Sequence, residues 1–198
     1  MKLIGIAGRA NSGKDTLAGL ILEHVTGQQR AFADPLRRAA MEIFGLTLEQ
    51  MTDRDLKEKV IPYWGYSPRQ VLQLLGTESI RDVFGPDTWV KRAALGLEEL
   101  LAVDADERYD GDVVVFTDCR FAEEARWIRQ SGGVVIHITR PGLAAVHGHV
   151  SEMPLPEALI DFVVVNDGSI DDLRHQVLHQ VAGWLDQGEH YQVERRVA

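Results

Sequence analysis

The chain has 198 residues, 45% hydrophobic and 26% charged, with a formal net charge of −9, which suits one sizeable core and is short for two domains. The acidic balance argues against a nucleic-acid polymer or an anionic membrane surface as partner, although a local Arg and Lys cluster can still hold a small phosphorylated ligand. The single Cys119 excludes an internal disulfide and a multi-cysteine zinc site, no apolar run approaches the ~18 residues of a membrane helix, and Leu3–Ala7 is too short for a signal peptide, so a cytoplasmic protein is expected.

Leu3–Ala7 reads as a first buried strand. It runs into Gly8-Arg9-Ala10-Asn11-Ser12-Gly13-Lys14, which fits G-x-x-x-x-G-K. Strand before and helix after (Lys14–Val25) are the context that a phosphate-binding loop requires. Gly8 and Gly13 permit the turns that aim backbone N–H groups at phosphate oxygens. The helix N-terminus adds partial positive charge, and Lys14 reaches the outer phosphates. Asp15 departs from the usual G-K-[ST], with Thr16 supplying a hydroxyl one residue later. Asp15 has two uses: a magnesium ligand, directly or through water, or a favourable charge in the helix's first turn. The sequence leaves both open.

A second strand is expected at Arg30–Ala33. Asp34 then either contacts a sugar or base or caps the helix beginning at Pro35, and Arg37 can reach a phosphate. About 80 residues separate this strand from the next, more than an ordinary crossover needs. Helical patterns fill the interval: Pro35–Phe44, Leu48–Glu58, Pro68–Val83 and Thr88–Leu101. Ser67-Pro68 is a helix start. Behind it Arg69, Gln70 and Gln73 sit on neighbouring turns, an Arg fork suiting phosphate and an amide suiting a base edge. Trp89 either stacks on a base or fills the insert's own core. An acidic stretch, Asp104–Asp112, returns the chain to the sheet.

Val113–Thr117 is the third strand, and it ends in Asp118, placed like a Walker-B carboxylate for magnesium or its waters. Arg120 is placed to bridge donor and acceptor phosphates. Glu124, four residues on, either holds that guanidinium or forms a surface salt bridge. A helix at Phe121–Ser131, strands at Val134–Thr139 and Phe162–Val165, and a helix at Ile170–Leu185 complete an α/β pattern: a five-stranded parallel sheet with helices on both faces. Asn166-Asp167-Gly168-Ser169 follows the last strand as a turn. Mixed charge from about Gly188 suggests a frayed tail.

Taken in order, GRANSGKDT, FADPLR, SPRQVLQLLGTE with Arg81, TDCRFAEEA, HVSE and DFVVVNDGSIDDL resemble the phage-type deoxynucleoside monophosphate kinases. These are P-loop enzymes related to adenylate kinase and similar in layout to dephospho-coenzyme A kinase. The resemblance runs from Lys2 to about Leu185. It implies a single P-loop NTPase-fold kinase domain over 1–198, with a helical acceptor-binding insert at 34–104 and a lid at 140–153. It also implies transfer of the γ-phosphoryl of ATP to a deoxynucleoside monophosphate, with magnesium. Carried over by motif, Gly8–Thr16 hold ATP, and Asp118 and Arg120 belong to the catalytic centre. Arg69, Gln70, Gln73, Gly76, Thr77 and Trp89 line the monophosphate pocket, and Glu124 supports Arg120. Asn166 resembles the turn that meets the donor's adenine. Arg140 opens the lid-like RPGLAAVHGHVSE, which has fewer arginines than such lids usually carry; His147 and His149 have no familiar metal-ligand spacing.

Two rival readings remain at this level. One is a related small-molecule kinase acting on dephospho-coenzyme A or phosphomevalonate. The other is a nucleotide-binding switch without transferase activity. The insert's helices can pack on each other or in a homodimer.

Overall fold

A computed structural model describes residues 1–102, 111–143 and 153–185. The chain packs into two compact units, Met1–Ala31 with Ala94–Ala198, and Phe32–Ala93. No helix among the described residues is long and apolar enough to cross a membrane.

The first unit carries five parallel strands, β1 (Lys2–Ala7), β2 (Gly27–Arg30), β3 (Val113–Phe116), β4 (Val134–Thr139) and β5 (Phe162–Val165), in the order β2-β3-β1-β4-β5. Central β1 is wholly buried and pairs with β3 (Ile4 opposite Val115) and with β4 (Ile6 opposite Ile136). Continuous apolar runs form these strands because both sheet faces are covered. On one face Ile4, Ile6, Val115, Ile136 and Val164 pack with Leu17 and Ile21 of α1 (Lys14–Leu22) and with Leu173, Val177 and Val181 of α9 (Ile170–Leu185). On the other lies α8 (Ala122–Gln130), whose Trp127 meets Phe116 edge-on at 5.7 Å. Each such buried aliphatic side chain contributes about 1.5–3 kcal/mol.

The second strand sits three residues earlier than its apolar residues suggest. It is Gly27–Arg30 and not Arg30–Ala33, because an edge strand paired only with β3 tolerates polar residues such as Gln28 and Gln29. Ala31 and Phe32 are buried beyond the pairing. At the opposite edge, Gln176 plugs β5: its amide accepts from Val165 N–H (3.0 Å) and donates to Val165 C=O (2.9 Å). Both groups would otherwise be left open to another strand. The buried Lys2 ammonium donates to the carbonyls of Trp184 (2.8 Å) and Leu185 (2.6 Å) and lies 5.0 Å from the Trp184 ring centroid. A cation is favourable beside carbonyls in the last described turn of α9.

The second unit is helical: α2 (Asp34–Phe44), α3 (Leu48–Thr52), α4 (Arg54–Glu58), α5 (Pro68–Gln73), a π-helical stretch (Leu74–Arg81), α6 (Asp82–Phe84) and the start of α7 (Thr88–Leu101). Its core gathers Ala40, Leu46, Met51 and Val71. The expected helix 48–58 breaks at Asp53, whose carboxylate caps α4 by accepting from the N–H groups of Asp55 (3.0 Å) and Leu56 (2.9 Å). The expected helix 68–83 widens into π geometry at Leu74, a departure typical of functional sites.

Candidate functional site

The loop after β1 is built by glycine. Gly8 has φ +149°, and a Cβ there would lie 2.4 Å from the Ile138 carbonyl oxygen. Gly13 has φ +103°, and its Cβ would lie 2.6 Å from Asn166 Nδ2. No side chain fits either position without displacing main chain or its holder. Asn11, at φ +65°, supplies a third left-handed turn. The Lys14 ammonium curls over this loop, donating to the carbonyls of Gly8 (2.9 Å) and Arg9 (2.8 Å). Asp15 and Thr16 stand exposed in the first turn of α1.

Asn166 has a role here that its turn sequence does not announce. Its side chain donates to Ser12 C=O (2.9 Å) and its own N–H to Thr139 C=O (2.8 Å), so it ties the loop to the ends of β4 and β5. This hold on the loop's main chain places Asn166 beside the expected donor site.

Beside the loop, Asp118 follows β3 and is 6% exposed. Cys119 N–H donates to Ile6 C=O (3.2 Å), which pins this turn to the end of β1. Glu124 does not form a surface salt bridge: it is buried, and its Oε2 accepts from the main-chain N–H of Arg120 (2.7 Å) and of Phe121 (3.0 Å). A helix start supplies no intrahelical acceptor for such N–H groups, and a carboxyl three and four residues on closes back over them. Burial, and then the neighbouring Asp118, push the Glu124 carboxyl up to about 8, against the lowering effect of the two N–H bonds and of Arg120. Burial likewise raises the Cys119 thiol well above its ordinary value, with Glu124 and Asp118 adding to it; a thiol so held is a poor nucleophile.

A cavity of about 250 Å³ opens alongside, lined by Gly8, Arg9, Ser12, Arg120, His137 and Arg140, with Leu143, Met153 and Leu155 on its apolar side. Three guanidinium-bearing residues and, among the described lining, no carboxylate make it a site for an anion. His137 was not foreseen. It is the one titratable residue in a mostly apolar run, VVIHIT, and that interruption is its only signal. Burial first, then Arg9, lower its imidazole below the ordinary value. Of the lid expected at 140–153, Arg140 is exposed at the end of β4; residues 144–152, His147 and His149 with them, lie outside the described residues. So does most of the 104–112 linker.

The acceptor-side candidates belong to the second unit. Asp34 does not cap α2, since Ala33 holds the N-cap position without a side-chain bond; Asp34 accepts from Arg37 at 2.8 Å. Arg69 pairs with Glu58. Gln70, expected near a ligand, is taken up in the cap of α5: its Oε1 accepts from Ser67 N–H (2.9 Å) while its own N–H donates to Ser67 Oγ (3.3 Å). Gln73 lies one turn beyond Arg69 and is half-buried. Gly76 and Thr77 are buried in the π-helical stretch, and Trp89 Nε1 donates to Gly76 C=O (3.0 Å). Trp89 is half-buried, and this bond ties the start of α7 to the π-helical stretch.

The sequence matches a family described as deoxynucleotide monophosphate kinase over residues 56–177. A putative deoxynucleotide monophosphate kinase of Acanthamoeba polyphaga mimivirus is 33% identical over 189 residues, 90% of this chain and 95% of the relative. A deoxynucleoside-5'-monophosphate kinase of Escherichia phage T5 is 26% identical over 88% of this chain and 94% of its own. The deoxynucleotide monophosphate kinase of Escherichia phage RB69 is 33% identical over 57% of this chain, and there the match spans 43% of the relative.

Proposed function

The chain belongs to the deoxynucleotide monophosphate kinase family, and from that premise we propose how its residues carry the reaction. It is a kinase that transfers the γ-phosphoryl group of ATP to a deoxynucleoside monophosphate, giving the diphosphate and ADP. The acceptor's phosphate oxygen is already nucleophilic at neutral pH, so no strong general base is required. Catalysis rests on positioning and on neutralising charge.

The loop from Gly8 to Thr16 holds the donor's phosphates with its main-chain N–H groups. Lys14, which the loop carbonyls hold at hand, turns its ammonium to the outer phosphates. Arg120 stabilises the charge on the phosphoryl group in flight, and Arg140 and Arg9 line the same anion cavity. Glu124 acts as a positioning residue, fixing Arg120 through its main chain. On the acceptor side, in the 34–104 insert, Arg69 and Arg37 offer guanidinium forks to the monophosphate. Their present partners, Glu58 and Asp34, are released when a dianion binds. Gln73 faces the base. Gly76, Thr77 and Trp89 shape the pocket's wall, and Gln70 keeps its place by capping the helix. The 140–153 segment serves as the lid that excludes water.

The residues near the loop fit magnesium. Asp15, Thr16 and Asp118 offer hard oxygen donors, and no group of three or more His, Cys, Asp or Glu gathers among the described residues. Such a donor set suits an ion held chiefly by phosphate oxygens and water. When bound, it would supply charge neutralisation across the transferred phosphates.

One observation carries this reading: a loop whose glycines admit no Cβ lies beside a strand-end turn bearing Asp118 and Arg120. An assay coupled to ADP formation across deoxy- and ribonucleoside monophosphates, with dephospho-coenzyme A as a control, tests it. ADP formation should depend on a deoxynucleoside monophosphate. Lys14→Ala and Arg120→Ala should each lower turnover more than about tenfold with unchanged folding. Near-normal rates in both variants would refute the assigned roles, and ADP formation that ignores every acceptor would point to a nucleotide switch.

A further inference from the structure

Asp15 occupies the position at which phosphate-binding loops ordinarily place a hydroxyl, and a full negative charge beside a triphosphate must be held in a fixed direction to be useful. A carboxylate on the first turn of a helix has rotamer freedom that a hydroxyl on Cβ lacks. The edge strand β2 supplies a restraint. Gln29 Nε2 donates to Asp15 Oδ1 at 2.9 Å and lies 3.5 Å from Thr117 Oγ1, the residue before Asp118. One amide nitrogen carries two hydrogens, so it can serve both oxygens. The next residue reinforces the link: Arg30 C=O accepts from Thr117 N–H at 3.0 Å. Side chain and main chain of β2 thus both fasten the turn that presents Asp118, and the side chain alone reaches across to Asp15.

We infer that Gln29 is a positioning residue for the metal side of the site. It holds one oxygen of Asp15 and aligns that carboxylate with the Thr117–Asp118 turn, leaving the second oxygen for magnesium or its water. A neutral amide suits this task. It donates to the carboxylate without adding a positive charge that would compete for the triphosphate, and it is one of the polar residues that keep β2 from reading as a strand. The inference rests on the reading that Asp15 faces the metal.

Calorimetric titration with ATP alone and with ATP plus Mg²⁺ gives two affinities, and their ratio isolates the metal's share of binding. Asp15→Asn should reduce that ratio. Gln29→Ala should reduce it about fivefold, the worth of one exposed hydrogen bond, with metal-free ATP binding unchanged. Gln29→Ala in the Asp15→Asn background should change it no further. Gln29→Asn, whose amide is one methylene too short to reach, should behave like Gln29→Ala and serves if the alanine variant folds poorly. A purely structural Gln29 would lower the melting temperature and leave the ratio alone; that result, with Asp15→Asn active on the ratio, overturns the inference. If Asp15→Asn itself leaves the ratio unchanged, the metal reading of Asp15 falls and the role of Gln29 falls with it.

Discussion

The two compact units handle charge in opposite ways. Around the loop and the β3 turn, the groups that matter are held by main chain: Asn166 on Ser12 C=O, Lys14 on two loop carbonyls, Glu124 on two N–H groups. In the helical unit, Arg37 and Arg69 lie in ion pairs with neighbouring carboxylates that are substantially exposed. Exposed pairs of this kind contribute about 0–1 kcal/mol, so a phosphate dianion displaces the carboxylate easily. In the first unit the side chains of the proposed donor site are fastened to main chain; in the second, the arginines proposed for the acceptor sit in side-chain pairs that can be exchanged.

The largest expected break in that contrast is Gly13→Ala. A left-handed φ of +103° and a Cβ only 2.6 Å from Asn166 Nδ2 leave no relaxed option, so strain of about 1–3 kcal/mol should appear in thermal melts. Calorimetry should show ATP affinity falling on the order of 100-fold as the loop leaves its cradle shape. Wild-type affinity in this variant would mean that the cradle forms only around its ligand.

Next is Glu124. Replacing it by Ala leaves two N–H groups at the α8 start without their acceptor and should destabilise the protein by about 2 kcal/mol in denaturant titrations. Glu124→Gln keeps an acceptor oxygen and should lose much less. The pH dependence sharpens this. The folded carboxyl holds its proton up to about 8, against an ordinary value of 4.5. Between those values the native state binds a proton that the unfolded chain releases, so stability should fall as pH rises through that window. The decline should be visibly shallower in Glu124→Gln. Parallel profiles for wild type and Glu124→Gln would remove the group from the account.

Arg69→Ala should separate the two sides from the other direction. The KM for the monophosphate should rise about tenfold through the loss of a bidentate phosphate contact, with KM for ATP little changed and stability altered by less than about 0.5 kcal/mol. An equal rise in both KM values would count against an acceptor-specific role. The smallest effect belongs to Trp89→Phe, which removes the hydrogen bond to Gly76 C=O while keeping an aromatic ring. About 1 kcal/mol is expected in chemical denaturation. A value near zero would show that the π-helical carbonyl finds another partner.

The same contrast explains what could be seen in the sequence. The loop, the turn with Asp118 and Arg120, and four of the strands were legible because each follows from a local rule: glycine where φ is positive, apolar runs where both faces are buried. The second strand was misplaced because an edge strand is permitted the polar residues that a buried one is not. For Glu124, i,i+4 spacing suggests the Arg120 guanidinium or a surface salt bridge, and it does not announce that the start of α8 also draws the carboxyl inward onto two main-chain N–H groups. Asp53 teaches the same lesson: a cap absorbs a polar side chain that spacing alone assigns to a helix interior. His137 and Gln29 gave almost no warning, because their use depends on which strand lies next to which.

The clasp between Lys2 and the last carbonyls of α9 joins residues separated by 182 positions. The central strand therefore waits for partners made much later in the chain, and the sheet unit closes only when α9 reaches back to Lys2. The helical unit, contiguous from Phe32 to Ala93, is free to fold much earlier. Until β3 and β4 have been made, the strand KLIGIA lacks both of its neighbours in the sheet.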